Sequence, residues 1–187
     1  MNIMVLYGTS EGQTRKVARY VADQLREYGV DVTVRNILDE PQNIKISGYD
    51  AVILAGRVHA GQYQRQLVKF IREHRSEVSA IPNAFLSVSM SAAGLRPGDM
   101  ERAQGYAAAL ANQTGWAPLF TEHVAGARLY TRHNAVARWL LGLVDGNRFD
   151  TSRDHEWTDW NELRLFAEIF VKEVTVRGVQ SLEAAAS

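Results

Sequence analysis

Short apolar runs alternate with segments of helical periodicity along this chain, beginning at the second residue. This alternation is typical of strands that are joined by crossover helices and lie parallel in one sheet. Five strands are predicted, at Asn2–Tyr7, Asp31–Asn36, Ala51–Ala55, Asn83–Val88 and Leu119–Ala125. The predicted helices are Thr14–Tyr28, Gln64–Glu77, Pro97–Thr114 and a last helix that starts near Asp159. With 187 residues, the chain is expected to form a single doubly wound α/β domain.

The composition of each strand indicates its place in the sheet. The first, third and fourth runs are almost entirely apolar, as expected for strands that helices cover on both faces. The second run alternates apolar and polar residues, and the fifth contains Thr121, Glu122 and His123, so both are expected at edges. We therefore predict a five-stranded parallel sheet with the order 2-1-3-4-5, although periodicity alone allows other doubly wound orders.

Composition excludes several classes of protein. The chain has no cysteine, which excludes disulfides, cysteine-ligated metals and thiol nucleophiles, and its five histidines lack the spacing of a metal site. Lys plus Arg equals Asp plus Glu, at 21 each, which argues against binding nucleic acid through a basic field. No apolar run is long enough to span a bilayer and no secretory signal is visible, so a cytoplasmic protein is expected.

The strongest local signal lies between the first strand and the first helix. The candidate ligand-binding residues there are Thr9, Ser10, Glu11, Gly12, Gln13 and Thr14. Three hydroxyls and a glycine at a helix N-terminus, where backbone N–H groups point outward, suit a phosphate group. The segment lacks the lysine of a nucleoside-triphosphate P-loop and the Gly-x-Gly-x-x-Gly spacing of a dinucleotide loop. A helix cap without a ligand is the alternative, but capping needs one hydroxyl rather than three.

Two further loops are expected to flank the same ligand, because open α/β sheets bind at the carboxyl ends of their strands. The candidates after the third strand are Arg57, Val58, His59, Ala60, Gly61 and Tyr63. Those after the fourth strand are Ser89, Met90, Ser91, Ala92 and Gly94. Glycines let the backbone approach a flat ring, and Tyr63 is placed to stack on it or contact its edge. Each loop alone is better explained as ordinary turn chemistry; the three together indicate a site.

A long insertion, residues 128–157, separates the fifth strand from the last helix. Its first part, 128–144, contains three arginines and one histidine but no acidic residue. If this part is helical, one face carries Ala135, Val136, Trp139, Leu140, Leu143 and Val144. That face has two interpretations, contact with a membrane surface or cover for the core of the domain itself.

The segment Thr9–Thr14 resembles the FMN-phosphate loop of flavodoxins. Other segments resemble one branch, the flavodoxin-like, menaquinone-dependent protoporphyrinogen oxidases of haem biosynthesis; they are Gly61-x-Tyr63, Ser87–Ser89, Ala125–Tyr130 and Thr158–Trp160. The similarity covers Asn2–Val171 and implies a flavodoxin-like, FMN-binding domain over 1–177. Residues 178–187 resemble a vector-derived tail and are left out of the functional interpretation.

The resemblance implies FMN as the cofactor, protoporphyrinogen IX as the substrate, and menaquinone or another quinone as the acceptor at the membrane. The flavin N5 is then expected to accept the hydride, so no side chain is assigned as a catalytic residue. Arginine binds carboxylates through paired hydrogen bonds, which suits propionates, and aromatic rings cover apolar surface. The implied substrate-binding residues are Arg128, Tyr130, Arg132, Arg138 and Trp139.

Peripheral contact with the inner face of the cell membrane through 128–144 is a further implication, and the sequence leaves homo-oligomerisation open. Three alternatives remain at this point: another FMN quinone reductase of the same fold, an electron-transfer flavodoxin, or a module that binds no flavin. The neutral net charge argues against the electron carrier, because carriers that dock on basic partners usually have an acidic excess.

Overall fold

The computed structural model describes residues 1–9, 12–39, 41–128 and 155–185. The strands are β1 (Asn2–Gly8), β2 (Asp31–Asn36), β3 (Ala51–His59), β4 (Gln62–Tyr63), β5 (Asn83–Ser89), β6 (Phe120–Ala125), β7 (Ala127–Arg128) and β8 (His155–Glu156). The α-helices are α1 (Gly12–Glu27), α2 (Arg65–Glu73), α3 (Arg75–Ala80), α4 (Asp99–Thr114) and α5 (Trp160–Ala185). Two short 3₁₀ helices lie at Pro41–Asn43 and Ser91–Ala93.

The sheet has the predicted order. Its five long strands are parallel and follow the sequence β2-β1-β3-β5-β6, which is the predicted 2-1-3-4-5 when the long strands alone are counted. The register pairs Gly8 with Gly56, Gly56 with Ser87, and Ser89 with Ala125. The carboxyl ends of the three central strands and of β6 therefore meet at one edge.

Each face of the sheet carries its own apolar core, as expected for a doubly wound domain. Successive residues of a strand point to opposite faces, so Ile53 joins one core and Leu54 the other. The first core is closed by α1 and α5, and the second by α2 and α4. The helix faces predicted from periodicity, such as Val17 and Val21 of α1 and Phe166 of α5, are the ones that are buried.

The ends of two helices follow the sequence signals. Gly29, with φ of 76°, takes the left-handed conformation beyond α1, and its N–H donates to the carbonyl of Arg26 at 2.9 Å. Asp159 Oδ1 accepts from the backbone N–H groups of Asn161 and Glu162, at 2.9 and 3.1 Å, and so caps α5. The helix α5 continues to Ala185, through most of the segment that the sequence separates from the domain; the boundary at residue 177 stays a prediction.

The single helix predicted over Gln64–Glu77 is wrong, because the chain forms two helices that meet at His74. His74 leaves helical geometry, with φ of −103° and ψ of 15°. Its ring packs on Phe70 with 4.4 Å between centroids, and its Nδ1 lies 3.0 Å from Glu77 Oε1. These side-chain contacts span the break, and apolar periodicity cannot reveal them.

Two other predicted boundaries also need correction. The helix predicted from Pro97 begins at Asp99, because Gly98 is in the left-handed conformation with φ of 74°. The third strand, predicted to end at Ala55, continues to His59 and turns back as β4. Residues 56–63 are thus a β-hairpin rather than the predicted loop. Among the described residues, no helix is long and apolar enough to cross a membrane.

Candidate cofactor site at the carboxyl edge of the sheet

Three segments that were predicted to share a ligand meet at the carboxyl edge of the sheet. They follow β1, β3 and β5, which are neighbours in the sheet. The connection from β1 leads to β2 on one side, and β3 lies on the other, so the strand order reverses between β1 and β3. Ligands of open α/β sheets bind in the crevice that such a reversal leaves.

The first turn of α1 forms one end of this crevice. Thr9 and Thr14 are buried, at 4% and 1% exposure, and the turn contains no acidic residue. The Thr14 hydroxyl is shielded from solvent and has no hydrogen-bond partner among the described residues. A buried hydroxyl without a partner is unfavourable, so the site suits a ligand that accepts from it. Ser10 and Glu11, the centre of the predicted phosphate loop, lie outside the described residues.

Asn36, which the sequence interpretation missed, holds the chain that enters this turn. Its Nδ2 donates to the Thr9 carbonyl at 3.4 Å, and its Oδ1 accepts from the Leu38 N–H at 3.2 Å. Asn36 is the last residue of β2. The predicted strand order already placed this end beside the phosphate loop, so the position was open to prediction.

The β3–β4 hairpin forms the second segment, and it carries Arg57, Val58 and His59 on its first strand. Its turn consists of Ala60 and Gly61, with φ of 48° and 80°, between the paired His59 and Gln62. Positive φ at both central residues is the geometry of a type I′ turn. Ala60 is the one non-glycine residue with positive φ in the described part of the chain, and such strain often occurs at functional sites.

Tyr63 lies beneath this hairpin, in the second core. Its side chain is 8% exposed, and its ring contacts Phe85 edge-on with centroids 5.2 Å apart. The phenol oxygen lies 2.7 Å from Ser87 Oγ, and burial raises the pKa of Tyr63 to about 12. Tyr63 therefore joins β4 to β5 as a neutral hydrogen-bonding group. Its predicted contact with a bound ring stays a prediction.

The loop after β5 forms the third segment, and it contains Ser89, Met90, Ser91, Ala92 and Gly94. Ser89 is buried, and its Oγ accepts from the Ala92 N–H at 3.1 Å. Gly94 ends the 3₁₀ turn in the left-handed conformation, with φ of 62°. The predicted residues of this loop are thus brought together in one compact turn at the edge of the sheet.

The insertion leaves and rejoins the domain at the same edge. Its stem consists of Gly126–Arg128 and His155–Thr158, in which β7 and β8 pair antiparallel. The Trp157 N–H donates to the Gly126 carbonyl at 3.3 Å, and the Gly126 N–H donates to the Ser89 carbonyl at 3.0 Å. The stem therefore contacts the loop that follows β5.

The stem also contacts the first turn of α1. The side-chain amide of Gln13 donates to Thr158 Oγ1 at 2.7 Å, and the Thr158 hydroxyl donates to the Ala125 carbonyl at 2.7 Å. Lys16 pairs with Glu156 at 2.9 Å and lies 4.7 Å above the Trp160 ring. The predicted cofactor residue Gln13 thus uses its amide nitrogen on the stem.

The remaining predicted site residues fall on the insertion. The backbone of Arg128 pairs with that of His155 in the stem. Tyr130, Arg132, Arg138 and Trp139 lie outside the described residues. Within the described part, no group of three His, Cys, Asp or Glu side chains is arranged to hold a metal ion.

A small polar cavity of about 110 Å³ lies beside the third segment, between β6 and the start of α5. Burial and the neighbouring carboxylate of Glu162 raise the pKa of Glu122. Burial lowers the pKa of His123, whose Nδ1 has no hydrogen-bond partner among the described residues. Partial burial thus disfavours the charged form of both side chains.

Comparison with known proteins decides the family. A family model described as a flavodoxin domain matches residues 4–152. The chain belongs to the flavodoxin family. This membership confirms the predicted fold and FMN as the cofactor. Solved flavodoxins share the fold: flavodoxin 1 of Bacillus cereus superposes with a TM-score of 0.55 at 17% identity, covering 92% of this chain and 98% of that protein.

Two relatives are similar in sequence over most of the chain. Protoporphyrinogen IX dehydrogenase (quinone) of Escherichia coli K12 is 30% identical over 174 residues, which cover 89% of this chain and 93% of the relative. The enzyme of the same name from Leishmania major is 30% identical over 171 residues, covering 89% of this chain and 73% of the relative. The predicted branch of the family is confirmed by these matches.

The described residues fit FMN. At the carboxyl edge, the buried atoms without a hydrogen-bond partner among the described residues include Thr14 Oγ1 and Gln64 Oε1. Gln64 Oε1 lies 3.8 Å from the position that a Cβ on Gly8 would occupy, so it faces the end of β1. One atom can donate to a phosphate and the other can accept from a cofactor hydroxyl. No motif or periodicity indicated Gln64, which was predicted only as the first residue of a helix.

Proposed function

We propose that this chain oxidises protoporphyrinogen IX to protoporphyrin IX, with FMN as cofactor and a quinone as electron acceptor. The observation that carries the proposal is the 30% identity, over 89% of the chain, to protoporphyrinogen IX dehydrogenases from two distant organisms. The described geometry is compatible with it, because the insertion stem joins the domain at the edge where FMN is expected to bind.

The first turn of α1 is proposed to hold the phosphate of FMN. The residues assigned to it are Thr9, Ser10, Glu11, Gly12, Gln13 and Thr14. The N-terminal N–H groups of α1 carry partial positive charge, so the phosphate needs no lysine or arginine. Within this group Thr14 donates its hydroxyl to the phosphate, whereas Gln13 contributes through its backbone, because its amide nitrogen is used by the stem.

The flavin ring is proposed to lie between the β3–β4 hairpin and the loop after β5. The hairpin contributes Arg57, Val58, His59, Ala60 and Gly61, with Tyr63 beneath it. The loop contributes Ser89, Met90, Ser91, Ala92 and Gly94. Bound FMN supplies the acceptor for the hydride that leaves the porphyrinogen. The two segments orient it and limit access of water to one face.

The insertion is proposed to bind the substrate and to meet the quinone. Arg128, Arg132 and Arg138 suit the propionates, and Tyr130 and Trp139 suit the apolar ring. Because menaquinone and related quinones are lipid-soluble, 128–144 is proposed to contact the membrane peripherally. Co-sedimentation with vesicles that contain anionic lipid tests this contact; equal recovery with neutral and anionic vesicles would argue against a role of the arginines.

The proposed reaction is tested by anaerobic turnover of the FMN-loaded protein. Each step removes a hydride and a proton from the porphyrinogen and reduces one quinone to the quinol. We expect protoporphyrin fluorescence to rise only when protein, FMN and quinone are all present. A sample without protein measures spontaneous oxidation. If NADPH supports quinone reduction and protoporphyrinogen does not, the chain is a quinone reductase of the same fold and the proposal fails.

A further inference from the structure

We propose that Gln13 and Thr158 are positioning residues that link the phosphate end of the FMN site to the insertion stem. Through this link, binding of FMN and ordering of the stem favour each other. The inference rests on the placement of the FMN phosphate at the first turn of α1, and it does not depend on which substrate the enzyme oxidises.

The Thr158 hydroxyl is the centre of the link. It donates to the Ala125 carbonyl at 2.7 Å and accepts from the Gln13 amide nitrogen at 2.7 Å. The bond from Gln13 is short for an N–H···O contact, the bond to Ala125 has the usual O–H···O length, and Thr158 is buried at 9% exposure. Because its single hydrogen points to Ala125, only a donor can approach from Gln13. The side chain of Gln13 is therefore held with its nitrogen on the stem.

The other contacts between α1 and the stem are weaker, including a longer, exposed bond from the same Gln13 amide nitrogen to Glu156 Oε1 at 3.2 Å. Lys16 and Glu156 form an ion pair at 2.9 Å, but the two side chains are 56% and 35% exposed. Exposed ion pairs of this kind contribute little, because water screens them. Lys16 also lies over the Trp160 ring, and that ring contacts Tyr20 with 4.8 Å between centroids. These contacts join α1 to Glu156 of the stem and to the start of α5, whereas the buried Thr158 bonds carry most of the coupling.

The link continues to the other end of the FMN site. Ala125 is the last residue of β6, and the next N–H, that of Gly126, donates to the Ser89 carbonyl at 3.0 Å. Ser89 begins the loop that is proposed to flank the flavin ring. The stem therefore connects the first turn of α1 to the loop after β5. Coupling of this kind is reciprocal, so a ligand that orders the turn also stabilises the stem.

The experiment compares FMN affinity in three variants by quenching of flavin fluorescence. Thr158→Val keeps the shape of the side chain and removes both hydrogen bonds. We expect its dissociation constant for FMN to rise about three- to tenfold, because of the two bonds lost the one to Gln13 links the stem to the FMN site, although Thr158 is not assigned to contact FMN. Thr158→Ser keeps the hydroxyl and is expected to retain the wild-type affinity. An unchanged affinity in Thr158→Val would overturn the proposal.

Thr114→Val is a matched control. Thr114 is buried, donates to the Leu110 carbonyl at 2.8 Å and accepts from the Trp116 N–H at 3.2 Å, so it resembles Thr158 in its bonding. It lies at the end of α4, near the first residue of β5 and therefore at the opposite edge of the sheet. Its loss is expected to lower stability without changing FMN affinity. If the dissociation constant for FMN rises equally in Thr158→Val and Thr114→Val, the cause is a general loss of stability, and the proposed link is contradicted.

Hydrogen exchange of the wild-type protein gives a second test that needs no variant and no porphyrinogen. In peptides that cover 155–162, we expect slower exchange with FMN than without it, whereas peptides around Thr114 should show no difference. Equal exchange of 155–162 in both states would overturn the proposal even if Thr158→Val does not fold. If 155–162 are protected by FMN but the protein does not oxidise protoporphyrinogen, the proposed link is supported and the proposed substrate is wrong.

Discussion

Thr14 and Thr158 are two buried threonines at the same edge of the sheet, and their hydroxyls differ in one respect. The Thr158 hydroxyl has a donor and an acceptor within 2.7 Å, whereas the Thr14 hydroxyl has no partner among the described residues. Buried hydroxyls are normally satisfied by a hydrogen-bond partner. The Thr158 hydroxyl therefore holds the protein structure in place, whereas the Thr14 hydroxyl is expected to bind the ligand.

Replacing Thr14 by valine tests this assignment. We expect the dissociation constant for FMN to rise about 10- to 100-fold, because a hydrogen bond to a charged phosphate contributes about 1.5–3 kcal/mol. The free energy of unfolding without FMN should not fall, since no described partner loses a bond. Fluorescence titration and urea unfolding measure the two quantities. Thr14→Ser, which keeps the hydroxyl, is the control; wild-type affinity in the valine variant would contradict the assignment.

Glu122 is predicted to be stabilising only when it is protonated. Burial and Glu162 raise its pKa, so the folded state holds this proton more tightly than the unfolded state, and the stabilisation is lost as pH rises through the raised pKa. Glu122→Gln should therefore raise the free energy of unfolding at neutral pH, by less than about 1 kcal/mol because the side chain is partly exposed. The gain should disappear below the ordinary carboxyl pKa of 4.5. Equal gains in urea unfolding at both pH values would contradict this account.

At the scale of elements, the edge of the sheet depends on close contact between β3 and α2. A Cβ on Gly56 would lie 2.3 Å from Leu67 Cδ2 and 3.3 Å from the Tyr63 ring. The register places Gly8 directly beside Gly56, and a Cβ there would lie 3.2 Å from Leu67 Cβ. Both glycines therefore allow α2 to approach the ends of the two strands between which the order reverses.

Gly56→Ala is expected to lower the free energy of unfolding by about 1–3 kcal/mol, the usual effect of overpacking a core. Gly105→Ala provides the opposite control, because Gly105 lies on the exposed side of α4 with no atom within 4 Å of an added Cβ. That change should stabilise the helix by about 0.5–1 kcal/mol. Urea unfolding measures both, and a neutral Gly56→Ala would mean that α2 can shift away from the sheet.

The elements that could be predicted are those whose pattern extends over several residues. The central strands are apolar because helices cover both of their faces, and α1 follows the repeat of Val17 and Val21. The break at His74 and the two-residue strands β4, β7 and β8 were missed, because they depend on single side-chain contacts and short pairings. The proposed site residues followed from the strand order, which also placed Asn36 at this edge, whereas Gln64 and the bonding of Thr158 needed coordinates.

At the scale of the whole molecule, FMN should stabilise the fold by mass action. At a free concentration 100 times its dissociation constant, the gain is about 2.7 kcal/mol. Riboflavin lacks the phosphate and should raise the melting temperature much less at the same concentration, because the first turn of α1 then has no anion to bind. Thermal unfolding followed by circular dichroism measures both shifts. Equal shifts would contradict the placement of the phosphate.

The cofactor and the branch of the family could be predicted from the sequence, whereas the structural roles of the motif residues could not. The motif at Thr9–Thr14 led to FMN, and the segments that flank the insertion, Ala125–Tyr130 and Thr158–Trp160, led to the protoporphyrinogen oxidase branch. The segment Thr158–Trp160 shows what such a motif does in the structure. Its three residues have separate structural tasks: Thr158 bonds Gln13, Asp159 caps α5 and Trp160 packs on Tyr20. Thr158 and Trp160 contact residues about 140 positions away in the chain. The motif could therefore be recognised from the sequence, but these contacts could not be predicted from it.

This flavodoxin-family protein is proposed to take electrons from protoporphyrinogen IX through FMN bound at the carboxyl edge of its sheet. The most direct measurement is anaerobic mixing of the FMN-loaded protein with protoporphyrinogen, followed by a quinone, while the visible flavin absorbance is recorded. We predict that the absorbance bleaches on the first addition and returns on the second. Bleaching by NADPH together with no response to protoporphyrinogen would contradict the claim.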